Sequence, residues 1–155
     1  MGFTVETFRV LVVDDEVDFL ETLVNRLKKR KLEAEGVTSG EAALELMKKT
    51  PFDVVILDIK MPRGMDGIQT FRELRKIGPL TEVILLTGHA SLETGIEGMK
   101  LGAFDYLLKP VKLEELMPKL AAAFEKKAAQ EEKIKKARIM EMKSSPGPMS
   151  EGEKE

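Results

Sequence analysis

The chain has 155 residues, enough for one domain with a sizeable core and a tail beyond it. Its 25 basic and 27 acidic residues leave a formal net charge of −2, which argues against a broad nucleic-acid or membrane footprint. There is no cysteine, so a disulfide framework, a thiolate metal site and a thiol nucleophile are all excluded.

The opening "MGFTVETFRV" lacks the cationic-then-apolar pattern of a signal peptide. No apolar run reaches the ~20 residues that cross a bilayer. A cytoplasmic protein with no membrane partner is the expectation.

In chain order, the first strand is expected at 9–13, "RVLVV", reading with Phe8 as a segment buried on both faces. Phe19, Leu20, Leu23, Val24 and Leu27 then recur at helical spacing, and a weak strand follows at 34–38. Ala42, Ala43, Leu46 and Met47 mark a second helix before the strand "DVVIL" at 53–57. Ile68, Phe71 and Leu74 mark a third helix before "EVILL" at 82–86. Ile96, Met99 and Leu101 give a fourth helix, "FDYLL" at 104–108 a fifth strand, and Leu113, Leu116, Leu120 and Phe124 a fifth helix. Five strands alternating with five helices predict an α/β, doubly wound, parallel sheet covered on both faces and joined by right-handed crossovers.

In such sheets a ligand site lies outside the carboxyl ends of the strands. The first strand ends in Asp14 and Asp15, the third in Asp58, the fourth in Thr87 and the fifth in Lys109. Any one of these could simply begin a helix or a turn, since Asp is a common N-cap. The set is poorly explained that way, because Asp58 and Lys109 are followed by loops. Three close carboxylates raise one another's pKa unless a cation compensates. Oxygen-only ligands favour Mg²⁺ or Mn²⁺ over zinc. A carboxylate beside a metal, a lysine and a hydroxyl suits phosphoryl transfer, with the carboxylate as nucleophile. Asp58, central among the strands, is the candidate nucleophile.

The motifs "VLVVDDE", "VVILDIKMP", "MDG", "VILLTGHA" and "GAFDYLLKP", in that order, resemble the receiver domain of bacterial two-component response regulators. The resemblance runs from about Arg9 to Phe124. It implies a flavodoxin-like fold with five strands in the order 2-1-3-4-5. It also implies that Asp58 accepts a phosphoryl group from a sensor histidine kinase, or exchanges it with a histidine phosphotransfer protein. Asp15 and Asp58 would bind Mg²⁺ directly, Asp14 largely through water, and the Lys60 carbonyl would complete the site. Thr87 and Lys109 would grip the phosphoryl oxygens, and Tyr106 would turn inward as Thr87 moves. Lys60 and His89 are candidate modulators, although His89 reads equally well as a surface residue without chemistry. The family also makes the Lys109–Pro110 bond cis, which X–Pro bonds adopt cheaply. A downstream protein would bind through the fourth helix, fifth strand and fifth helix. Direct DNA binding is not expected, and a homodimer is compatible with the pattern.

Three features depart from the family pattern. "DIKMPRGMDG" has one residue more than usual between Asp58 and Gly67, with Gly64 or a neighbour as the insert, and the loop is expected to bulge outward. Gly95 and Gly98 stand at helical positions where alanine is usual. Each either weakens the fourth helix by about 1 kcal/mol or admits close packing of another chain. Beyond the receiver (1–126), "FEKKAAQEEKIKKARIMEMK" predicts a charged helical extension over 127–143, with Glu131–Lys135 and Glu132–Lys136 as supporting pairs. Ile134, Ile139, Met140 and Met142 sustain no heptad, which argues against a long coiled coil. Pro118 should bend the first turns of the last helix, and 144–155 reads as a disordered tail.

Two further readings of the residues need weighing. Glu16 serves either the metal's water shell or the N-terminus of the first helix. The whole reads as a stand-alone phospho-switch that modifies only itself and has no independent substrate. The alternative is a phosphorylation-independent scaffold or dimerisation module. A haloacid-dehalogenase-type phosphatase would need Asp-x-Asp after the first strand, which "VVDDE" does not supply.

Overall fold

The structure, a computed structural model, describes residues 7–88 and 92–144. Its elements are β1 (Arg9–Val13), α1 (Val17–Lys29), β2 (Glu33–Val37), α2 (Gly40–Lys49), β3 (Val54–Asp58), α3 (Gly67–Ile77), β4 (Glu82–Thr87), α4 (Leu92–Lys100), β5 (Asp105–Leu108) and α5 (Leu113–Ser144). The sheet runs β2-β1-β3-β4-β5 with every neighbouring pair parallel. The expected flavodoxin-like, doubly wound fold is therefore present. Among the described residues no helix is long and apolar enough to cross a membrane.

Side chains alternate between the two faces of a strand, and the core divides accordingly. On one face Val10, Val12, Val54, Ile56, Ile84 and Leu86 pack under α1 and α5. On the other, Leu11, Val13, Val55, Leu57, Val83 and Leu85 meet residues of α2 and α3, notably Ala43, Met47, Phe71 and Leu74. Both faces are covered, which is why β1, β3 and β4 read as unbroken apolar runs. β2 is an edge strand with exposed Glu33 and Glu35, and its weak signal comes from that half-solvated position. β5 forms the other edge, with Leu107 buried and Tyr106 and Leu108 exposed.

The termini of β3 and β4 differ slightly from expectation: Asp58 and Thr87 are the last residues of their strands. Ladder pairing holds both backbones, Asp58 opposite Leu86 and Thr87 opposite Leu108. Their side chains thus start from rigid positions.

Asp66 begins α3 through a capping box in which Gln69 N donates to Asp66 Oδ1 at 2.8 Å and Asp66 N donates to Gln69 Oε1 at 3.1 Å. Gly67 is required at the next position, because a Cβ there would lie 2.5 Å from Ile59 Cα and 2.6 Å from the Asp58 carbonyl oxygen. The helix start is thereby pressed against the end of β3. The preceding loop is exposed at residues 62–64, as expected, yet it is tethered, since Met65 N donates to Glu41 Oε2 of α2 at 3.0 Å.

Gly98 has its packing role inside this chain. A Cβ there would sit 2.2 Å from Leu85 Cδ1, so the glycine lets α4 approach β4. At Gly95 the nearest atoms, on Ile59 and Thr87, would be at 3.8 and 3.9 Å, which is ordinary contact. The two glycines, read alike from sequence, therefore differ.

α5 is a single helix of 32 residues that continues through Pro118. At its first turns Leu116, Leu120 and Ala123 are fully buried, and Phe124 stacks on Phe8 with ring centroids 4.6 Å apart. Lys126 then pairs with Glu82 at 3.5 Å and Lys127 with Asp53 at 3.0 Å, while residues 129–143 are exposed. Glu131 pairs with Lys127, one turn before it, at 2.7 Å, on the opposite side from the expected Lys135 partner one turn after it. Of the disordered tail expected over 144–155, Ser144 is instead the last residue of α5, and 145–155 lie outside the described residues.

Candidate functional site

The carboxyl ends of β1, β3, β4 and β5 deliver the predicted residues to one edge of the sheet. Asp14, Asp15 and Asp58 each offer a carboxylate oxygen, and these atoms all lie within 4.8 Å of one another. Asp14 is 0 % exposed and Asp58 5 %, whereas Asp15 reaches solvent. Backbone amides help to hold the buried pair: Glu16 N donates to Asp14 Oδ1 at 2.9 Å and Lys60 N to Asp58 Oδ1 at 3.3 Å.

Lys109 supplies the positive charge. Its backbone N–H donates to the Thr87 carbonyl at 2.9 Å, extending the β4–β5 ladder, and the Lys109–Pro110 bond is cis. Its Nζ lies 2.8 Å from Asp14 Oδ2, 2.9 Å from Glu16 Oε1 and 3.7 Å from Asp58 Oδ2.

The electrostatics follow from burial and crowding. Burial, then the neighbouring Asp14 charge, push the Asp58 carboxyl up to about 6 against the pull of Lys109. Burial likewise raises Asp14, with Lys109 opposing. Burial alone would lower Lys109, but hydrogen bonds to Asp14 and Glu16 and the charge of Asp58 outweigh it and hold the ammonium above the usual lysine range.

Asp14 Oδ2 is buried and faces the Lys109 ammonium at 2.8 Å. Three carboxylates whose oxygens all lie within 4.8 Å of one another form an all-oxygen donor set that fits a hard divalent cation such as Mg²⁺.

Thr87 is 1 % exposed, and its hydroxyl donates to the Gly88 carbonyl at 2.9 Å. Tyr106 is 36 % exposed and lies on the outer surface near Leu108 and Pro118. His89 falls outside the described residues.

Two neighbours of the site were not legible in these roles. Glu16 is the N-cap of α1 but makes no side-chain cap bond, and its carboxylate goes to Lys109 instead. Phe19, expected only as a core position of α1, places its ring centroid 4.5 Å from Lys109 Nζ. The available signal was its position, one helical turn beyond Asp15.

A family model described as "Response regulator receiver domain" matches residues 10–121. The chain belongs to the family of response regulator receiver domains, the phospho-acceptor modules of two-component signal transduction. It is 41% identical over 108 residues to "Regulatory protein AtoC" of Escherichia coli (strain K12), covering 70% of this chain and 23% of that protein. It is 36% identical over 115 residues to "Response regulator protein PilR" of Pseudomonas aeruginosa, covering 74% of this chain and 26% of that one. The chain thus spans about a quarter of the length of these relatives. A crystal structure titled as a response regulator receiver domain protein from Clostridium thermocellum superposes with a TM-score of 0.75 at 36% identity, covering 79% of this chain and 98% of that one.

Proposed function

We propose that the protein is a phosphorylation-activated switch in which Asp58 is the acceptor. One observation carries the proposal. A buried carboxylate lies 3.7 Å from a lysine ammonium and within 4.8 Å of two further carboxylates suited to a metal. A nucleophile is thereby set between a lysine ammonium and carboxylates that would hold a metal ion.

In the proposed transfer, a carboxylate oxygen of Asp58 attacks the phosphorus of a phosphohistidine on a sensor kinase or histidine phosphotransfer protein. The P–N bond breaks, and its electron pair returns to the imidazole nitrogen. Asp15, Asp58 and the Lys60 carbonyl would hold Mg²⁺, with Asp14 acting through water. The ion would supply positive charge to the phosphoryl oxygens. Lys109 meets one of those oxygens and Thr87 another, its hydroxyl turning from the Gly88 carbonyl. The chain catalyses its own phosphorylation and the hydrolytic return, and it acts on no separate substrate.

Movement of Thr87 then vacates space for Tyr106, shifting the balance between two packings of one surface. Tyr106 and Leu108 of β5 and Pro118 of α5 line one exposed groove there, and Ile96 of α4 is also exposed. An apolar face of this kind suits a protein partner whose affinity changes on phosphorylation.

Incubation with Mg²⁺ and acetyl phosphate, followed by intact mass measurement, tests the proposal. An adduct of about 80 Da, one phosphoryl group, is expected with Mg²⁺ and not with excess EDTA. Failure to label at any donor concentration would favour the phosphorylation-independent scaffold.

A further inference from the structure

We infer that Phe19 is a positioning residue for phosphoryl transfer, its ring holding the Lys109 ammonium beside Asp58. The inference rests on the reading of Asp58 as acceptor and goes beyond it in assigning a role to an aromatic side chain outside the acidic cluster.

The ammonium has three N–H donors. Asp14 at 2.8 Å and Glu16 at 2.9 Å engage it closely, while Asp58 Oδ2 at 3.7 Å lies beyond hydrogen-bond reach. To grip an oxygen on phosphorylated Asp58, Lys109 has to loosen a carboxylate contact and shift by roughly an ångström. A carboxylate competes with the phosphoryl group for the same donors. An aromatic face does not, because the ring quadrupole attracts the cation without occupying a directed donor. The attraction extends to about 6 Å from the centroid, so a contact that begins at 4.5 Å survives such a shift.

The surroundings favour the ring over Glu16 as the lasting guide. The Glu16 side chain is 67% exposed, so water and salt screen its pull. The Lys109 side chain is only 21% exposed. Phe19 lies in the first turn of α1, partly buried against the core on the α1–α5 face. Packing therefore fixes its ring while the lysine moves.

A purely structural Phe19 would respond to lost volume, whereas a positioning Phe19 responds to lost π-electron density at constant volume. The test uses the full chain with mono-, di- and trifluorophenylalanine placed at position 19, together with Phe19→Leu and Phe19→Tyr. The rate of Asp58 phosphorylation by acetyl phosphate with Mg²⁺ is followed by intact mass, and Tm is recorded for each protein. The expected result is a stepwise fall in rate along the fluorinated series at constant Tm. Phe19→Leu is expected to be about fivefold slower, the factor corresponding to ~1 kcal/mol, and Phe19→Tyr to match wild type. A flat rate across the fluorinated series overturns the inference, as does a fall that tracks only lost Tm. If Phe19→Leu fails to fold, the fluorinated series carries the test alone. Wild-type protein that takes up no phosphoryl group defeats the acceptor reading and this inference together. A labelled wild type with a flat series defeats only the inference.

Discussion

Lys127 Nζ lies 3.0 Å from Asp53 Oδ1, joining the last partly buried turn of α5 to the residue just before β3. Asp53 is doubly used, because its other oxygen accepts the Arg9 backbone N–H at 2.8 Å. With Lys126–Glu82 beside it, this cluster fastens α5 to the amino edge of the sheet, the edge opposite the acidic site.

Ending the chain after Ala128 should therefore leave the receiver folded. Of the core-tethering ion pairs of α5 it keeps Lys126–Glu82 and Lys127–Asp53, and it gives up Lys127–Glu131, worth about 0.3–0.5 kcal/mol. Ending it after Phe124 leaves Asp53 and the buried Glu82 without their lysines and should cost on the order of 1–3 kcal/mol more. Urea unfolding of the two truncations checks this. Equal stability would show that the lysines anchor nothing.

Gly95→Ala and Gly98→Ala should have opposite effects. At Gly95 a methyl group meets only ordinary contacts, so helix propensity gains up to about 1 kcal/mol. At Gly98 the methyl drives into Leu85, itself fully buried, and should cost about 1–3 kcal/mol. Denaturant midpoints of the single variants decide the matter. Relaxation-dispersion NMR should show less exchange in residues 93–100 for Gly95→Ala.

Much of this molecule is legible in its sequence. Unbroken apolar runs marked strands buried on both faces, and the polar residues ending them belong to one edge because parallel strands share a direction. Other features lay beyond sequence spacing. Glu16 reads as a helix-start residue because its partner Lys109 is 93 positions away. Gly95 and Gly98 look equivalent until Leu85 is seen against one of them. Glu131 turns to Lys127 because Asp53 has already fixed that lysine, a constraint no i,i+4 rule contains. The β2 edge was faint because half its side chains meet water.

Removing the buried charge of Asp58 should stabilise the metal-free protein at neutral pH. A carboxyl raised from 3.8 to about 6 by burial and Asp14 favours the protonated fold. That contribution is complete below the unfolded value and is lost as pH rises through the folded one, roughly 3 kcal/mol in all. In EDTA, Asp58→Asn should exceed wild type by on the order of 2 kcal/mol at pH 8, and the gap should close near pH 4. Urea titrations at both pH values would contradict this if the gain were absent or independent of pH.

Magnesium should raise the Tm of wild-type protein, since an ion bound only by the folded state stabilises it, by about 2.7 kcal/mol at one hundred times Kd. Asp15→Asn should keep the metal-free Tm, because Asp15 is exposed, and lose most of the magnesium shift. An undiminished shift in that variant would remove Asp15 from the metal site.

The central claim is that Asp58 receives the phosphoryl group. Wild type and Asp58→Asn, treated side by side with Mg²⁺ and acetyl phosphate and weighed intact, test it most directly. The account predicts an adduct of about 80 Da on wild type and none on Asp58→Asn. The same adduct persisting on Asp58→Asn would contradict it.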